Sequence, residues 1–217
     1  MRNVAIVDTL LGLHLFIMSA SVNAASPGET IALKGNGKGA VACVSCHGDK
    51  GQGNNTAGYP YLAGQPMNYL IKQLHDFAST ARKNPIMQPF ASALSEDEIR
   101  AVAGYYARQP LPKIVSRKNN TPQLERGERL ATKGKWSAGI PACFQCHGDK
   151  GQGIAPNFPA ISGQSSLYTK KQLEHWRQGK RSNDPVGLMQ AVVASLDDAE
   201  ITAIADYLAS QSPVAIK

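Results

Sequence analysis

Hydrophobic positions recur at helical spacing in two stretches of the chain, each of which follows a helix-capping signature. Ser95 with Glu98, and Asp197 with Glu200, have the spacing of a capping box. The apolar residues that follow at i, i+3, i+4 and i+7 are Ile99, Val102, Ala103 and Tyr106 in the first stretch and Ile201, Ile204, Ala205 and Leu208 in the second. This pattern predicts two capped amphipathic helices, each with one buried face.

Other segments of the chain also have helical patterns. Short helices are expected over residues 28–34 and 124–133. An amphipathic stretch places Leu70, Ile71, Leu74 and Phe77 on one side, and its counterpart later in the chain offers Tyr168, Leu173 and Trp176. The sequence contains no run of alternating β-branched residues long enough to argue for a sheet. The predicted fold class is therefore all-α.

An internal repeat divides the chain into two units. Residues 43–53 recur as residues 143–153, with nine of the eleven positions identical. The match extends downstream, where Gly64-Gln65 parallels Gly163-Gln164. The repeat predicts two tandem homologous domains, residues 26–110 and 123–217, joined by a basic, proline-flanked linker at residues 111–122.

The N-terminus has the pattern of an export signal. Arg2 precedes a short apolar run over residues 10–20, and small residues follow up to Ala24. The apolar run is too short to span a bilayer, which needs about 20 residues. Residues 1–24 are therefore predicted to be a cleaved signal peptide, with a buried helix or an uncleaved anchor as the alternatives.

The charge of the chain says little about its partners. The chain is 42% apolar and 18% charged, with a net charge of +7 that is spread along its length. A nucleic-acid-binding protein would concentrate basic residues in a stripe, so this class is not indicated. The densest basic group, Lys170, Lys171, Lys180 and Arg181, is predicted to be one solvated helix face.

A Cys-x-x-Cys-His motif occurs once in each repeat and uses all four cysteines of the chain. The motifs consist of Cys43, Cys46 and His47 and of Cys143, Cys146 and His147. This is the attachment signature of covalently bound haem c, because two thiols three positions apart can reach the two vinyl groups of one porphyrin while the histidine ligates the iron. The sequence therefore predicts two haem c groups.

Three other uses of these cysteines are less consistent with the sequence. Structural zinc sites pair such motifs about 15–20 residues apart, whereas 96 residues separate Cys46 from Cys143. A thioredoxin-like redox pair would need a βαβ context. Two structural disulfides within the motifs would be strained.

Two methionines are candidates for the second iron ligand. Met87 lies 40 residues after His47, and Met189 lies 42 residues after His147. His/Met ligation is typical of cytochromes c. Met67 aligns with Ser166 and is predicted to fill the core.

Further repeated residues could support these ligands. Pro60 and Pro159 are candidates to accept a hydrogen bond from the axial histidines. Tyr69 with Gln73, and Tyr168 with Gln172, could face haem propionates or the domain interface, with ordinary helix packing as the alternative. The remaining mature histidines, His75 and His175, do not align and are predicted to be surface residues.

Together these motifs resemble the cytochrome c4 family of periplasmic dihaem cytochromes. The resemblance covers nearly the whole mature chain and implies two class I cytochrome c folds whose haems lie near one another about a pseudo-two-fold axis. It also implies electron transfer in a respiratory chain to a terminal oxidase, with a quinol-oxidising complex or a dehydrogenase as donor and with loose membrane association. The implied haem ligands are Cys43, Cys46, His47 and Met87, and Cys143, Cys146, His147 and Met189.

His/Met ligation at both irons predicts an electron carrier rather than an enzyme, because no position is open for a substrate. One alternative is the dihaem subunit of a flavin-containing sulfide dehydrogenase. The other is a dihaem peroxidase, which needs one open iron.

Overall fold

The computed structural model describes residues 25–114 and 121–215. In these ranges the chain forms ten α-helices, three isolated β-bridges and no strand. The helices are α1 Pro27–Lys34, α2 Val44–His47, α3 Met67–Ala78, α4 Met87–Ser92, α5 Glu96–Ala107, α6 Pro122–Thr132, α7 Cys143–His147, α8 Ser166–Arg177, α9 Leu188–Val193 and α10 Asp198–Ser210. The predicted all-α fold class is confirmed.

Two sequence predictions fall wholly or partly outside the described residues. The predicted signal peptide, residues 1–24, lies outside them, as do residues 115–120 of the predicted linker. The last residue of that linker, Pro122, is already the first residue of α6. Within the described ranges, none of the helices has the length and apolar character that crossing a membrane requires.

The core of the N-terminal half, residues 25–114, forms where α1 and α3 pack against α5. Its buried residues include Ile31, Leu70 and Val102. Helix α1 approaches α5 so closely that a Cβ atom added to Gly28 would lie 2.1 Å from the carbonyl oxygen of Ala101. Only glycine permits this crossing.

The C-terminal half, residues 121–215, repeats this arrangement with α6 and α8 packed against α10. Its core contains Leu130, Leu173 and Ile201. A Cβ atom on Gly127 would lie 2.1 Å from the carbonyl oxygen of Ala203, so the close helix crossing is repeated as well. Each core cluster draws on residues of its own half only.

Both predicted capping boxes are present at the start of the long C-terminal helix of each half. Ser95 caps α5 and Asp197 caps α10, and the glutamate three residues later bonds back in each case. The N–H group of Ser95, which donates to Glu98, lowers the pKa of that carboxyl. The buried Glu200 also accepts a hydrogen bond from Lys135 at 2.9 Å, which ties α10 to the segment before the second cysteine motif.

The helix crossing in the N-terminal half makes Gly28→Ala destabilising. We expect the free energy of unfolding in urea to fall by about 1–3 kcal/mol, because the added methyl group meets rigid backbone. Gly104→Ala is the matched control, since Gly104 is also buried in a helix but faces the flexible ends of Arg108 and Met67 at 3.2 and 3.6 Å. This control should be stabilised by up to about 1 kcal/mol through helix propensity. Equal effects of the two substitutions would contradict the crossing argument.

Candidate functional site

Each Cys-x-x-Cys-His motif folds into a single short helix. The first motif forms α2 with Cys43 as its N-cap, and the second forms α7. Gly48 and Gly148 end these helices with φ of +81° and +85°, values that favour glycine. Cysteines three positions apart on one helical turn point to the same side. The four thiols are free and half-buried. The two thiols of each motif can therefore form covalent bonds to two neighbouring atoms of one cofactor.

The histidine of each motif is buried and held in one orientation. His47 Nδ1 lies 2.9 Å from the carbonyl oxygen of Pro60, and His147 Nδ1 lies 2.8 Å from that of Pro159. These are the bonds predicted from the sequence, and they are confirmed. A carbonyl oxygen only accepts hydrogen bonds, so Nδ1 must carry the proton and Nε2 the lone pair.

The histidines are therefore prepared to act as metal ligands. Burial lowers the pKa of both His47 and His147, although the bond to the proline carbonyl partly opposes this effect. The rings are thus neutral at neutral pH. Among the described residues no hydrogen-bond partner is found for Nε2 of either ring. A neutral imidazole with a free Nε2 lone pair is the form that binds a metal.

The candidate methionine ligands both lie in the first turn of a short helix, at half-buried positions. The side chain of Asn84 accepts a hydrogen bond from the Met87 N–H group at 3.0 Å. A carboxylate, Asp184, takes this role in the other half and accepts from the Met189 N–H group at 2.7 Å and from Trp176 Nε1 at 2.9 Å. The backbone N–H groups of the two corresponding methionines are thus bound by different side chains, an amide in one half and a carboxylate in the other.

The predictions for the remaining methionine and histidines have mixed outcomes. Met67 does not fill the core: it is 38% exposed, at the start of α3, so that prediction is wrong. His75 lies at the surface as predicted, with its Nε2 atom 3.1 Å from Glu96. His175 is half-buried.

Two family models match the two halves of the chain separately. The model described as cytochrome c matches residues 124–212. The model described as cytochrome c oxidase, cbb3-type, subunit III matches residues 32–105. Each match contains one Cys-x-x-Cys-His helix.

Curated relatives match nearly the whole chain. A cytochrome c4 from Thiocapsa roseopersicina is 41% identical, with 80% of this chain and 89% of the relative covered. The chain belongs to the cytochrome c4 family. It is a dihaem electron-transfer cytochrome with two cytochrome c domains, and it carries two covalently bound haem c groups. A protein from Thiomonas intermedia (strain K12) named thiosulfate dehydrogenase electron acceptor is 42% identical, over 97% of this chain and 92% of the relative.

Solved structures agree with this assignment. Reduced recombinant cytochrome c4 from Pseudomonas stutzeri matches with a TM-score of 0.74 and 30% identity, covering 85% of this chain and 96% of that one. The thiosulfate dehydrogenase TsdBA from Marichromatium purpuratum matches with a TM-score of 0.79 and 36% identity over 85% of this chain. The chain spans 40% of the length of that protein.

Two buried glutamines join the cytochrome c domains. Gln65 donates from Nε2 to the carbonyl oxygen of Ala160 at 2.9 Å and accepts from the N–H group of Ala160 at 3.0 Å. Gln164 accepts from the N–H group of Tyr61 at 3.0 Å and donates to the Tyr61 carbonyl oxygen at 3.3 Å. Corresponding residues of the repeat thus make the same pair of bonds in both directions.

Two buried arginines form the second part of the domain interface. Arg82 is 7% and Arg181 is 5% exposed. Gln73 Oε1 accepts from both guanidinium groups, at 2.8 and 3.1 Å. Gln172 Oε1 does the same at 2.8 and 2.9 Å. The prediction that Arg181 belongs to a solvated helix face is therefore wrong, because the opposite domain covers this side chain.

Arg82 and Arg181, with Gln73 and Gln172, form an arginine cluster that has a surplus of positive charge. Within the described residues, both guanidinium groups donate to neutral oxygens of glutamine, tyrosine and asparagine side chains. Asp76 attracts Arg82, but its carboxylate also bonds Lys72 and Asn183. Burial raises the pKa of Tyr168, yet the two arginines outweigh burial and the pKa is lowered. The cluster is therefore suited to hold further anionic groups.

Sequence reasoning placed Tyr69, Gln73, Tyr168 and Gln172 among residues that could face the interface, and it missed the two arginines. The available signal was the spacing: Arg82 and Arg181 are separated by 99 positions, as are Gln73 and Gln172. Burial of the pair depends on contacts between the domains, which spacing alone does not reveal.

Gln73→Ala should destabilise the protein, because its Oε1 atom accepts from three donors, including both buried arginines. We expect a loss of about 2 kcal/mol in the free energy of unfolding, since buried charged donors lose a partner. Gln178→Ala removes an exposed glutamine and should change stability by less than about 0.5 kcal/mol. Urea unfolding of the haem-loaded proteins measures both, and a silent Gln73→Ala would contradict this role.

Proposed function

We propose that this chain is a periplasmic carrier that receives electrons from a dehydrogenase or a quinol-oxidising complex and delivers them to a terminal oxidase. The proposal rests on one observation, made twice: a buried histidine on a Cys-x-x-Cys-His helix has Nδ1 bonded to a proline carbonyl oxygen, while Nε2 has no hydrogen-bond partner among the described residues. We assign the domains to residues 26–110 and 123–217, with the linker at 111–122. Export to the periplasm follows from the predicted signal peptide at residues 1–24, and loose membrane association is part of the proposal.

The side chains of each domain have the chemistry needed to hold one haem c. Haem c supplies a one-electron ferric/ferrous couple when bound. Cys43 and Cys46 would hold the first haem through thioether bonds, and His47 and Met87 would supply the two protein ligands of its iron. In the second domain the same roles belong to Cys143, Cys146, His147 and Met189. With a histidine and a methionine bound to each iron, no coordination position would be left for oxygen, peroxide or other small ligands.

The arginine cluster supports the presence of haem at the interface between the domains. Arg82 and Arg181 are buried beside neutral hydrogen-bond acceptors. Buried cations need anionic partners, and each haem carries two propionate groups. We assign propionates of both haems to this cluster, where Tyr69 and Tyr168 can donate further hydrogen bonds. This placement would bring both haems to the domain interface.

A thiosulfate dehydrogenase is the donor that the comparisons favour. Two proteins named thiosulfate dehydrogenase electron acceptor are 42% and 41% identical to this chain over more than nine-tenths of its length. The matching TsdBA structure is also named a thiosulfate dehydrogenase. The role of this chain would be to accept electrons that such an enzyme removes from thiosulfate.

The donor is tested by stopped-flow spectroscopy of the oxidised protein. Thiosulfate with a thiosulfate dehydrogenase should reduce both haems in a saturable reaction, and a terminal oxidase should reoxidise them. Thiosulfate without the dehydrogenase is the control and should leave the protein oxidised. Reduction by a quinol-oxidising complex alone would assign the donor role to that complex instead.

Met87→Leu tests the proposed closed coordination. The unsubstituted protein should contain two haems per chain, show a methionine-to-iron charge-transfer band for both, and bind no carbon monoxide when reduced. Met87→Leu should lose about half of that band and bind carbon monoxide at one haem, because leucine offers no ligand atom. Met67→Leu is the matched control and should retain both bands. Carbon monoxide binding by the unsubstituted protein would favour a peroxidase-like enzyme.

A further inference from the structure

The two glutamines at the domain interface bond the same peptide groups that hold the histidines. The carbonyl of Pro159 and the N–H group of Ala160 belong to one peptide unit. His147 donates to the oxygen of that unit at 2.8 Å, and Gln65 of the other domain accepts from its nitrogen at 3.0 Å. A chain of two hydrogen bonds therefore runs from Gln65, in the N-terminal domain, to the imidazole of the C-terminal domain.

The reverse chain runs through the peptide unit of Pro60 and Tyr61. His47 donates to its oxygen at 2.9 Å, and Gln164 accepts from its nitrogen at 3.0 Å. Each histidine is thus connected to a side chain of the opposite domain. The connecting atoms are sheltered from water, because Tyr61 is 2% and Ala160 is 4% exposed.

The direction of each amide follows from its partners. The N–H group of Ala160 can only donate, so the oxygen of Gln65 must face it, and the carbonyl of Ala160 must receive the Gln65 NH2 group. The same argument fixes Gln164 against Tyr61. Both ends of each side-chain amide are engaged, so neither amide is free to turn over.

Hydrogen bonds in series polarise one another. A peptide whose N–H group donates has a more negative carbonyl oxygen, and in a buried chain each bond strengthens its neighbour by about 10–30%. A stronger acceptor at Nδ1 makes the imidazole a more electron-rich ligand, which stabilises the oxidised metal. Loss of the glutamine should therefore raise the reduction potential of the haem in the opposite domain.

We infer that Gln65 and Gln164 are positioning residues through which each domain tunes the haem of the other. This inference rests on the proposed function, because it requires His47 and His147 to be axial ligands. The two hydrogen-bond chains differ in strength, because Gln164 Oε1 also accepts from the N–H group of Ser165 at 3.1 Å. Its acceptor capacity is shared, so the chain from Gln65 to His147 is the stronger one.

Reduction potentials of single haems in Gln65→Leu protein test the inference. In the reduced protein, each axial methionine gives its own shifted methyl NMR signal, and the Met189 signal is assigned by its loss in Met189→Leu. Following these signals through a redox titration gives one potential per haem. We expect the equilibrium constant for reduction of the C-terminal haem to rise about threefold, or about 28 mV at about 59 mV per tenfold. The N-terminal haem should not change.

Two further variants separate this role from simple interface packing. Gln164→Leu should raise the potential of the N-terminal haem alone, by less than the Gln65 effect. Tyr61→Phe removes another bond between the domains, from the Tyr61 hydroxyl to the carbonyl oxygen of Ser162 at 3.0 Å. This substitution leaves the backbone groups of both hydrogen-bond chains unchanged. It should leave both potentials unchanged. The Nδ1–H NMR signal of His147 should move upfield in Gln65→Leu, as expected for a weaker hydrogen bond.

Gln65→Glu provides a test that does not depend on folding of the leucine variant. It can keep both bonds to Ala160 only as the neutral acid, whose hydroxyl group donates to the Ala160 carbonyl oxygen and whose carbonyl oxygen accepts from the Ala160 N–H group. A carboxylic acid is a weaker acceptor than an amide, so the equilibrium constant for reduction of the C-terminal haem should rise by less than threefold, while the N-terminal haem should not change. Equal shifts in the reduction potentials of both haems, or a shift confined to the haem of the N-terminal domain, would overturn the inferred tuning between the domains. Either result would leave the proposed function in place. Absence of either methionine methyl signal in the unsubstituted protein would overturn the proposed methionine ligation but not this inference, which requires only that His47 and His147 are iron ligands.

Discussion

The bond between each buried histidine and its proline carbonyl connects the parts of this structure that matter for function. On one side it fixes the short Cys-x-x-Cys-His helix, because the imidazole cannot rotate without losing its acceptor. On the other side it fixes the loop that carries Pro60 or Pro159, and the next residue of that loop meets the opposite domain. The orientation of the candidate iron ligand and the assembly of the two domains are thus consequences of the same contact.

The buried arginines impose a second constraint, which is electrostatic. Burying two guanidinium groups beside neutral oxygens costs free energy unless negative charge is supplied. Arg181 also lies over the ring of Trp176, with 3.8 Å between the guanidinium carbon and the ring centroid, and Arg82 lies 4.6 Å from the ring centroid of Phe77. These contacts order the side chains but leave their charge uncompensated. We therefore expect cofactor binding and domain docking to support one another.

The features that were predicted from the sequence depend on local spacing. A capping box and an apolar stripe are set by residues a few positions apart, so α5 and α10 could be recognised directly. The proline acceptors were suggested by the repeat and by the general behaviour of ligand histidines. Buried Arg181 was missed because its position depends on Gln73, 108 residues away in the other domain. Met67 was misjudged because the absence of a repeat partner carries no information about burial.

The interface is built by the same residues on both sides. Gln65 of the N-terminal domain bonds the backbone of the C-terminal domain, and Gln164 of the C-terminal domain bonds the backbone of the N-terminal domain. Each buried arginine bonds both Gln73 on α3 and Gln172 on α8. Such an isologous surface is the kind through which two identical subunits form a dimer. A single-domain ancestor could have formed such a dimer. The fraction of it that was dimeric would then have depended on the protein concentration. Joining the copies in one chain replaces that dependence with a fixed local concentration, so the two haems stay paired however dilute the protein becomes.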